Sequence, residues 1–265
     1  MTILNEIADY TKIRIAEEMK SIPLNEVRAL AETMAKADTD EVKFRFEKSL
    51  KAASPMAFIC ECKKASPSKG LIAEQFPYVD IAKEYEAAGG NAISVLTETK
   101  WFLGSDRYLE EISQSVSIPC LRKDFTIDPY MIYQAKTFGA SCILLICALL
   151  DTEELKEYIK VADSLGLSQI VEAHDEAEIE SAMEAGARII GVNNRNLKDF
   201  TVDINNSGRL RSMVPETTLF VAESGIKTRD DVAKLEAIGV NAVLIGETLM
   251  RASDKKKMIE ELKGI

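Results

Sequence analysis

One unit recurs eight times along this chain. Short apolar runs begin near Met56, Ala92, Pro119, Cys142, Ser168, Arg188, Thr218 and Ala242, at intervals of 36, 27, 23, 26, 20, 30 and 24 residues. Most are separated by a polar stretch with helical spacing, as in Leu155, Ile159, Ala162 and Leu165. Gly90, Gly139, Gly166, Gly186 and Gly239 close those stretches just before the next run, where a helix end favours a residue tolerant of the left-handed conformation. Asp151 with Glu154, and Asp175 with Glu178, have the spacing of a capping box at a helix start. Runs such as Ile143-Leu144-Leu145-Ile146 are apolar throughout rather than alternating, as parallel strands covered on both faces require.

Strand, loop, helix and glycine, repeated from residue 56 to residue 265, predict an α/β fold, a (β/α)8 TIM barrel. A doubly wound open sheet is the alternative; it usually has fewer strands, and neither a Gly-x-Gly-x-x-Gly nor a P-loop string is present. Residues 1–50 form an N-terminal helical extension, and residues 1–265 are expected to make a single domain. Val27, Leu30, Ala31, Met34 and Ala35 make one helical stripe there, and Val42, Phe46 and Leu50 another. Such helices either close the bottom of the barrel or reach over its mouth.

Charge and cysteine usage narrow the setting. With 33 Lys+Arg against 43 Asp+Glu, the net charge of -10 disfavours general nucleic-acid binding. An anionic small molecule is not excluded, because a few cations can reverse the field inside a cleft. The five cysteines, Cys60, Cys62, Cys120, Cys142 and Cys147, form no Cys-x-x-Cys pair, and with a single histidine they offer no zinc cluster. They read as reduced core residues of a cytoplasmic protein. The first residues lack a secretory signal, and the longest apolar run, Cys142 to Leu150, is too short to span a bilayer.

In such a barrel the chemistry lies at the C-terminal ends of the strands. Those ends carry Glu61 and Lys63, Lys123, Glu172, Asn193, and Glu223. Glu61 and Lys63 are two apart on a strand and so share a face. Carboxylates sunk into strands need cationic partners, since an unpaired buried charge costs several kcal/mol. Strands 7 and 8 run into Ser224-Gly225 and Gly246-Glu247, positions where barrels bind phosphate through backbone N–H groups. With Lys63 nearby, Ser224, Gly225, Gly246 and Glu247 are the expected phosphate site. Cys62 should face the opposite side of its strand as core. His174, two residues past Glu172, reads as structural or solvated rather than as an acid/base.

These residues carry a resemblance. Glu61-Cys62-Lys63-Lys64-Ala65-Ser66-Pro67-Ser68 resembles the signature of the indole-3-glycerol-phosphate synthase family. The likeness continues through Lys123-Asp124-Phe125, Glu172, Asn193-Asn194-Arg195-Asn196-Leu197, Glu223-Ser224-Gly225-Ile226 and Gly246-Glu247-Thr248-Leu249-Met250-Arg251, and covers nearly the whole chain. It implies a lyase that closes the pyrrole ring of 1-(2-carboxyphenylamino)-1-deoxyribulose 5-phosphate, releasing CO2 and water, in tryptophan biosynthesis. No metal or organic cofactor is implied. The expected partner is the phosphorylated small molecule, with neither nucleic acid nor membrane, and the chain is expected to be a monomer or weak homo-oligomer.

By that resemblance Lys123 is the first choice for the acid at the ring-closing carbonyl, with Lys63 also available. Lys63 contacts the substrate's phosphate or carboxylate. Glu172 and a lysine are the acid–base pair for dehydration. Glu61, Glu223 and Asn193 keep the lysines charged and bind hydroxyls. Phe102, Phe125, Leu144 and Leu197, with Pro67, fall at the positions of the anilino slot, and Ser66 and Arg195 at positions near the substrate. Lys64 to Gly70 is expected to be an irregular, mobile lid. Glu247 departs from the serine of some relatives, so only its backbone N–H should aid phosphate. A phosphoribosylanthranilate isomerase would instead present a cysteine and an aspartate at its strand ends, and a silent ligand-binding barrel would have no chemical need for both Lys123 and Glu172.

Overall fold

Inward-pointing residues decide this structure, a computed structural model that describes residues 2–196 and 200–265. Eight parallel strands close on themselves: β1 (Ala57–Cys62), β2 (Ala92–Leu96), β3 (Cys120–Lys123), β4 (Cys142–Ile146), β5 (Ser168–Ala173), β6 (Ile189–Asn193), β7 (Leu219–Glu223) and β8 (Ala242–Ile245). Each pairs with its sequence neighbours, and β8 returns to β1. All eight begin within one residue of the positions expected from the apolar runs.

Side chains alternate across each strand, and both faces are buried. Phe58, Cys60 and Cys62 face the outer helices, whereas Ala57 and Ile59 join Leu121, Cys142, Ile170, Val221 and Leu244 inside the barrel. Continuing the inward set toward the C-terminal ends leads from Ile59 to Glu61, from Leu121 to Lys123, from Ile170 to Glu172 and from Val221 to Glu223. The same period that fills the core with aliphatic groups therefore delivers the charged groups to one mouth.

The outer helices are α4 (Tyr78–Ala87), α5 (Asp106–Ser113), α6 (Pro129–Thr137), α7 (Thr152–Ser164), α8 (Glu176–Glu184), α9 (Asn205–Arg211), α10 (Arg229–Ala237), α11 (Glu247–Arg251) and α12 (Lys255–Lys263). The capping box at Asp151 and Glu154 is complete. At α8 only half forms: Asp175 accepts from the Glu178 N–H, but the Glu178 carboxylate accepts from the N–H of His174 instead of Asp175. The first glycine assignment shifts by one. Gly89, at φ 82, is the left-handed residue closing α4. Gly90 serves close packing, since a Cβ there would lie 2.9 Å from the Tyr85 carbonyl oxygen and 3.1 Å from Cys60 Sγ.

Both readings of the extension hold, for different helices. Helix α1 (Ile3–Ser21) crosses the mouth: Arg14 reaches Asp124 at 2.9 Å, and Tyr10 packs edge-on against Trp101 at 5.6 Å. Helix α2 (Leu24–Ala37) packs on α6, with Lys136 paired to Asp38 just beyond it. Leu30 of its expected stripe is exposed. Helix α3 (Arg45–Ala52) closes the bottom by inserting Phe46 and Leu50 among the inward-facing residues. Val42 precedes that helix and is exposed. Among the described residues, no helix is long and apolar enough to cross a membrane.

Phe46→Ala should leave a void at the barrel floor, because Phe46 is fully buried among strand residues that cannot collapse inward. A loss of about 3–5 kcal/mol is expected, read as a lower urea midpoint. Substrate affinity should be spared, since the void lies at the far end from the mouth; an unchanged midpoint would contradict the plug.

Candidate active site

At the C-terminal end of the barrel lies a cavity of about 680 Å³. Its polar floor is one ion-paired cluster. Lys123 Nζ, on β3, donates to Glu223 Oε2 of β7 at 2.5 Å and to Glu172 Oε2 of β5 at 3.3 Å. Asn193 of β6 hydrogen-bonds Glu172 through its side chain. Glu61 and Lys63 pair with each other across one side of β1, as their spacing requires. The register that sets Asn193 opposite Glu223 also sets Gly191 opposite Val221. Gly191 has to lack a side chain: a Cβ there would lie 2.7 Å from Ile170 Cγ2 and collide with the Glu223 carboxylate.

Burial acts on these groups in opposite directions. Burial alone would lower the ammonium pKa of Lys123, but Glu223 and Glu172 outweigh it and raise it. Burial pushes Glu172 up, yet Lys123, His174 and Asn193 outweigh it, so its carboxyl sits below the usual range. For Glu223 burial wins over Lys123, assisted by repulsion from Glu172 and Glu61, and the carboxyl rises to about 7. One of its oxygens, Oε1, has no hydrogen-bond partner among the described residues. Two carboxylates on one lysine thus differ in character: Glu172 is the stronger acid and stays ionised, while Glu223 holds a proton more readily.

The other expected residues also border this cavity. Ser66 and Pro67 line one side, Leu144 lies in its floor, and Phe102 and Phe125 face each other with ring centroids 5.9 Å apart. Arg195 lines it too, its backbone N–H donating to Asn193 Oδ1 at 3.0 Å and its guanidinium to the Phe200 carbonyl at 3.3 Å. Leu197 lies outside the described residues. Cys62 faces away into the outer core, its thiol raised by burial.

Beyond β7 and β8, Ser224 and Gly225 have φ of 68 and 84, and Thr248 Oγ1 ties the two loops by donating to the Ile226 carbonyl at 2.7 Å. Gly246 abuts Lys63, whose Nζ lies 2.8 Å from where a Cβ would stand. Glu247 is engaged by cations, Arg251 at 3.1 Å and Lys69 at 3.6 Å. Burial pushes its carboxyl up, but Arg251, Lys69 and Lys63 outweigh burial and lower it.

The segment expected to be irregular contains a short hairpin, Ala65–Ser66 paired antiparallel with Gly70–Leu71. Lys69 N–H donates to the Ser66 carbonyl at 3.3 Å, placing Pro67 second in the turn, where its fixed φ fits, and Gly70 takes φ 63. The residues that discourage long strands build this short turn.

Sequence reasoning overlooked several contributors. Ile3, Leu4 and Ile7 of α1 wall the cavity, as does Lys69. Asp124, fully buried beside Lys123, is held by Arg14 and by Thr97 Oγ1 at 2.6 Å. Nothing local in the sequence indicates that Arg14 meets Asp124 across 110 residues.

Fold and site together define a class: a (β/α)8-barrel enzyme with an ion-paired lysine–glutamate centre at the mouth of its barrel. Comparison then gives the family. The family model for indole-3-glycerol phosphate synthase matches residues 4–262, and the chain belongs to that family. It is 59% identical over 262 residues to the indole-3-glycerol phosphate synthase of Ruminiclostridium cellulolyticum, covering 99% of each chain. It is 53% identical to that of Lacticaseibacillus paracasei, covering 98% of each. Among solved structures, 3-hexulose-6-phosphate synthase from Salmonella typhimurium shares the fold at a TM-score of 0.65 and 14% identity, over 79% of this chain and 97% of that one.

Glu223 gives a stability test with a definite sign. Its carboxyl rises from 4.5 to about 7 on folding, so its contribution is fully present below pH 4.5 and is lost as pH rises through 7. Glu223→Gln lacks that loss. His174, also raised on folding and partly by Glu223, acts in the same direction. Between pH 5 and pH 8 the wild type should therefore lose stability relative to Glu223→Gln, by up to about 3 kcal/mol in urea unfolding. A difference independent of pH would overturn this.

Proposed function

We propose that this chain converts 1-(2-carboxyphenylamino)-1-deoxyribulose 5-phosphate to indole-3-glycerol phosphate, CO2 and water, with Lys123 as the acid at the ring-closing carbonyl. The family supports the activity, a carboxy-lyase step of tryptophan biosynthesis. The observation that carries the residue assignment is the double hydrogen bond of Lys123 to Glu172 and Glu223, which holds a charged proton donor in a buried setting. The aryl carbon bearing the carboxylate attacks C2 of the ribulose. A new carbon–carbon bond forms, and the carbonyl oxygen takes a proton from Lys123 as it gains negative charge. CO2 then leaves that aryl carbon, its bond electrons returning to the ring and restoring aromaticity.

Dehydration follows. The C2 hydroxyl leaves as water after protonation by a lysine, and Glu172, kept ionised by its cationic neighbours, accepts the proton lost from C1. Glu61 and Asn193 orient Lys63 and Glu172 and bind substrate hydroxyls, and Glu223 keeps Lys123 charged. Lys63, with the backbone at Ser224, Gly225, Gly246 and Glu247, takes the phosphate. The anilino ring packs against the apolar wall of Phe102, Phe125 and Leu144, with Ser66 and Arg195 beside the substrate. The extension and the barrel work as one domain, since α1 supplies part of the cavity wall. In this reading the chain acts in the cytoplasm as a monomer or weak homo-oligomer.

Indole fluorescence during turnover tests the assignment. Lys123→Ala and Glu172→Gln should each slow product formation by roughly 10²–10⁴-fold, the usual contribution of a positioned acid or base. Substrate should still bind through the phosphate end. Product formation that survives Lys123→Ala would transfer the acid to Lys63.

A further inference from the structure

One buried titratable group has no part in the chemistry above. His174 is the single histidine of the chain. It lies just past β5, two residues beyond Glu172, so both side chains project to the same side of the strand. Its Nε2 is 3.5 Å from Glu172 Oε1, and its Nδ1 is 3.1 Å from Glu178 Oε2 on α8. The residue is also fixed at its backbone: its N–H donates to Glu178 Oε2 at 2.7 Å, and its carbonyl accepts from Asn206 Nδ2 of α9 at 3.2 Å. Among the described residues Nε2 is buried with no hydrogen-bond partner, Glu172 Oε1 being its neighbour at 3.5 Å.

We propose that Glu178, His174 and Glu172 form a carboxylate–imidazole–carboxylate line that makes His174 the positioning residue for the general base. This rests on Glu172 serving as that base. The geometry leaves one protonation state that satisfies every atom. A carboxylate faces each ring nitrogen, so a neutral imidazole would set a lone pair against one of them, and only the imidazolium donates to both. Glu172 is then held on both oxygens, Oε2 by Lys123 and Oε1 by His174. Its rotation is restrained and its ionised form is favoured. The long Nε2 contact is of the kind that shortens when substrate closes a site.

The surroundings agree. Burial disfavours the charged ring, but the Glu178 hydrogen bond and the fields of Glu172, Glu178 and Glu223 outweigh it, and the imidazole pKa is raised. Lys123 pairs with the other oxygen of Glu172, Oε2. Cys147, whose thiol donates to the Glu178 carbonyl, is pushed by burial up to about 12 and is neutral.

A lone histidine allows a proton NMR titration with no assignment problem. The imidazole of the intact enzyme should titrate above the ordinary value of about 6.5 and fall by about one unit in both Glu172→Gln and Glu178→Gln. Coupling is reciprocal. His174→Asn should therefore move the acid limb of kcat/KM upward by the same amount that Glu172→Gln lowers the imidazole. Glu178→Gln, which keeps the histidine, should move the limb in the same direction by less. A structural role would scale the rate equally at all pH values and leave the limb in place. An imidazole pKa indifferent to Glu172→Gln overturns the line, and is read from the spectrum alone. Full turnover by Glu172→Gln overturns the base assignment, and is read from the rate alone.

Discussion

The lysine shared between two buried glutamates is the interaction on which the mouth of this barrel depends. Taking Lys123, Glu172 and Glu223 out of water costs several kcal/mol per charge unless partners replace the lost hydration. Here the partners are mutual: one ammonium satisfies an oxygen of each carboxylate. Removing any one of them strands a charge. The three come from β3, β5 and β7, so the cluster exists only when the sheet is closed and in register. Barrel closure and site assembly are one event.

That closure draws on both ends of the chain's first helical segment. Phe46 and Leu50 plug the bottom, where inward residues are apolar and a void would otherwise remain. Arg14 reaches over the top to Asp124, whose carboxylate also accepts from Thr97 and from the N–H of Phe125. Burial opposes the charge of Asp124, but Arg14 and Arg122 outweigh it and keep its carboxyl low. The residue after Lys123 is thus anchored from three directions. A buried lysine is only as well placed as the backbone that carries it, so the extension belongs to the site as well as to the fold.

Much of this was legible in the sequence, for a reason specific to the architecture. A barrel strand has a period of two and both faces buried, so its apolar run announces it, and the first charged residue on its inward face must lie at the mouth. Glu61, Lys123, Glu172 and Glu223 were readable on that basis, because position along the strand and position in space coincide. Gly89, the hairpin at Ala65–Leu71 and the divided capping at Asp175 were not, since each depends on a local backbone choice that several residues could satisfy. Arg14 and the ring environment of His174 were invisible for another reason. Both are pairings between distant elements, and a single arginine or histidine in a helix or loop carries no mark of its partner.

The same counter-ion logic explains how a chain with a net charge of -10 can receive an anion. Around the cavity four of the cations are held by carboxylates: Lys63 by Glu61, Lys123 by Glu172 and Glu223, and Lys69 and Arg251 by Glu247. These pairs offset the cost of holding charged groups at a partly buried site. They do not cancel its attraction for a substrate bearing a phosphate and a carboxylate, because an ammonium in contact with one carboxylate still has donors free for another acceptor. Excess negative charge would repel the incoming anion, and Glu223 relieves it. With its carboxyl raised to about 7, it can take up a proton near neutral pH as a further negative group approaches Lys123. Glu172 differs, because Lys123, His174 and Asn193 outweigh burial and lower its carboxyl. The two glutamates on one lysine therefore differ in proton affinity because their other neighbours differ: His174 and Asn193 favour the charge of Glu172, whereas Glu223 has the repulsion of Glu172 and Glu61.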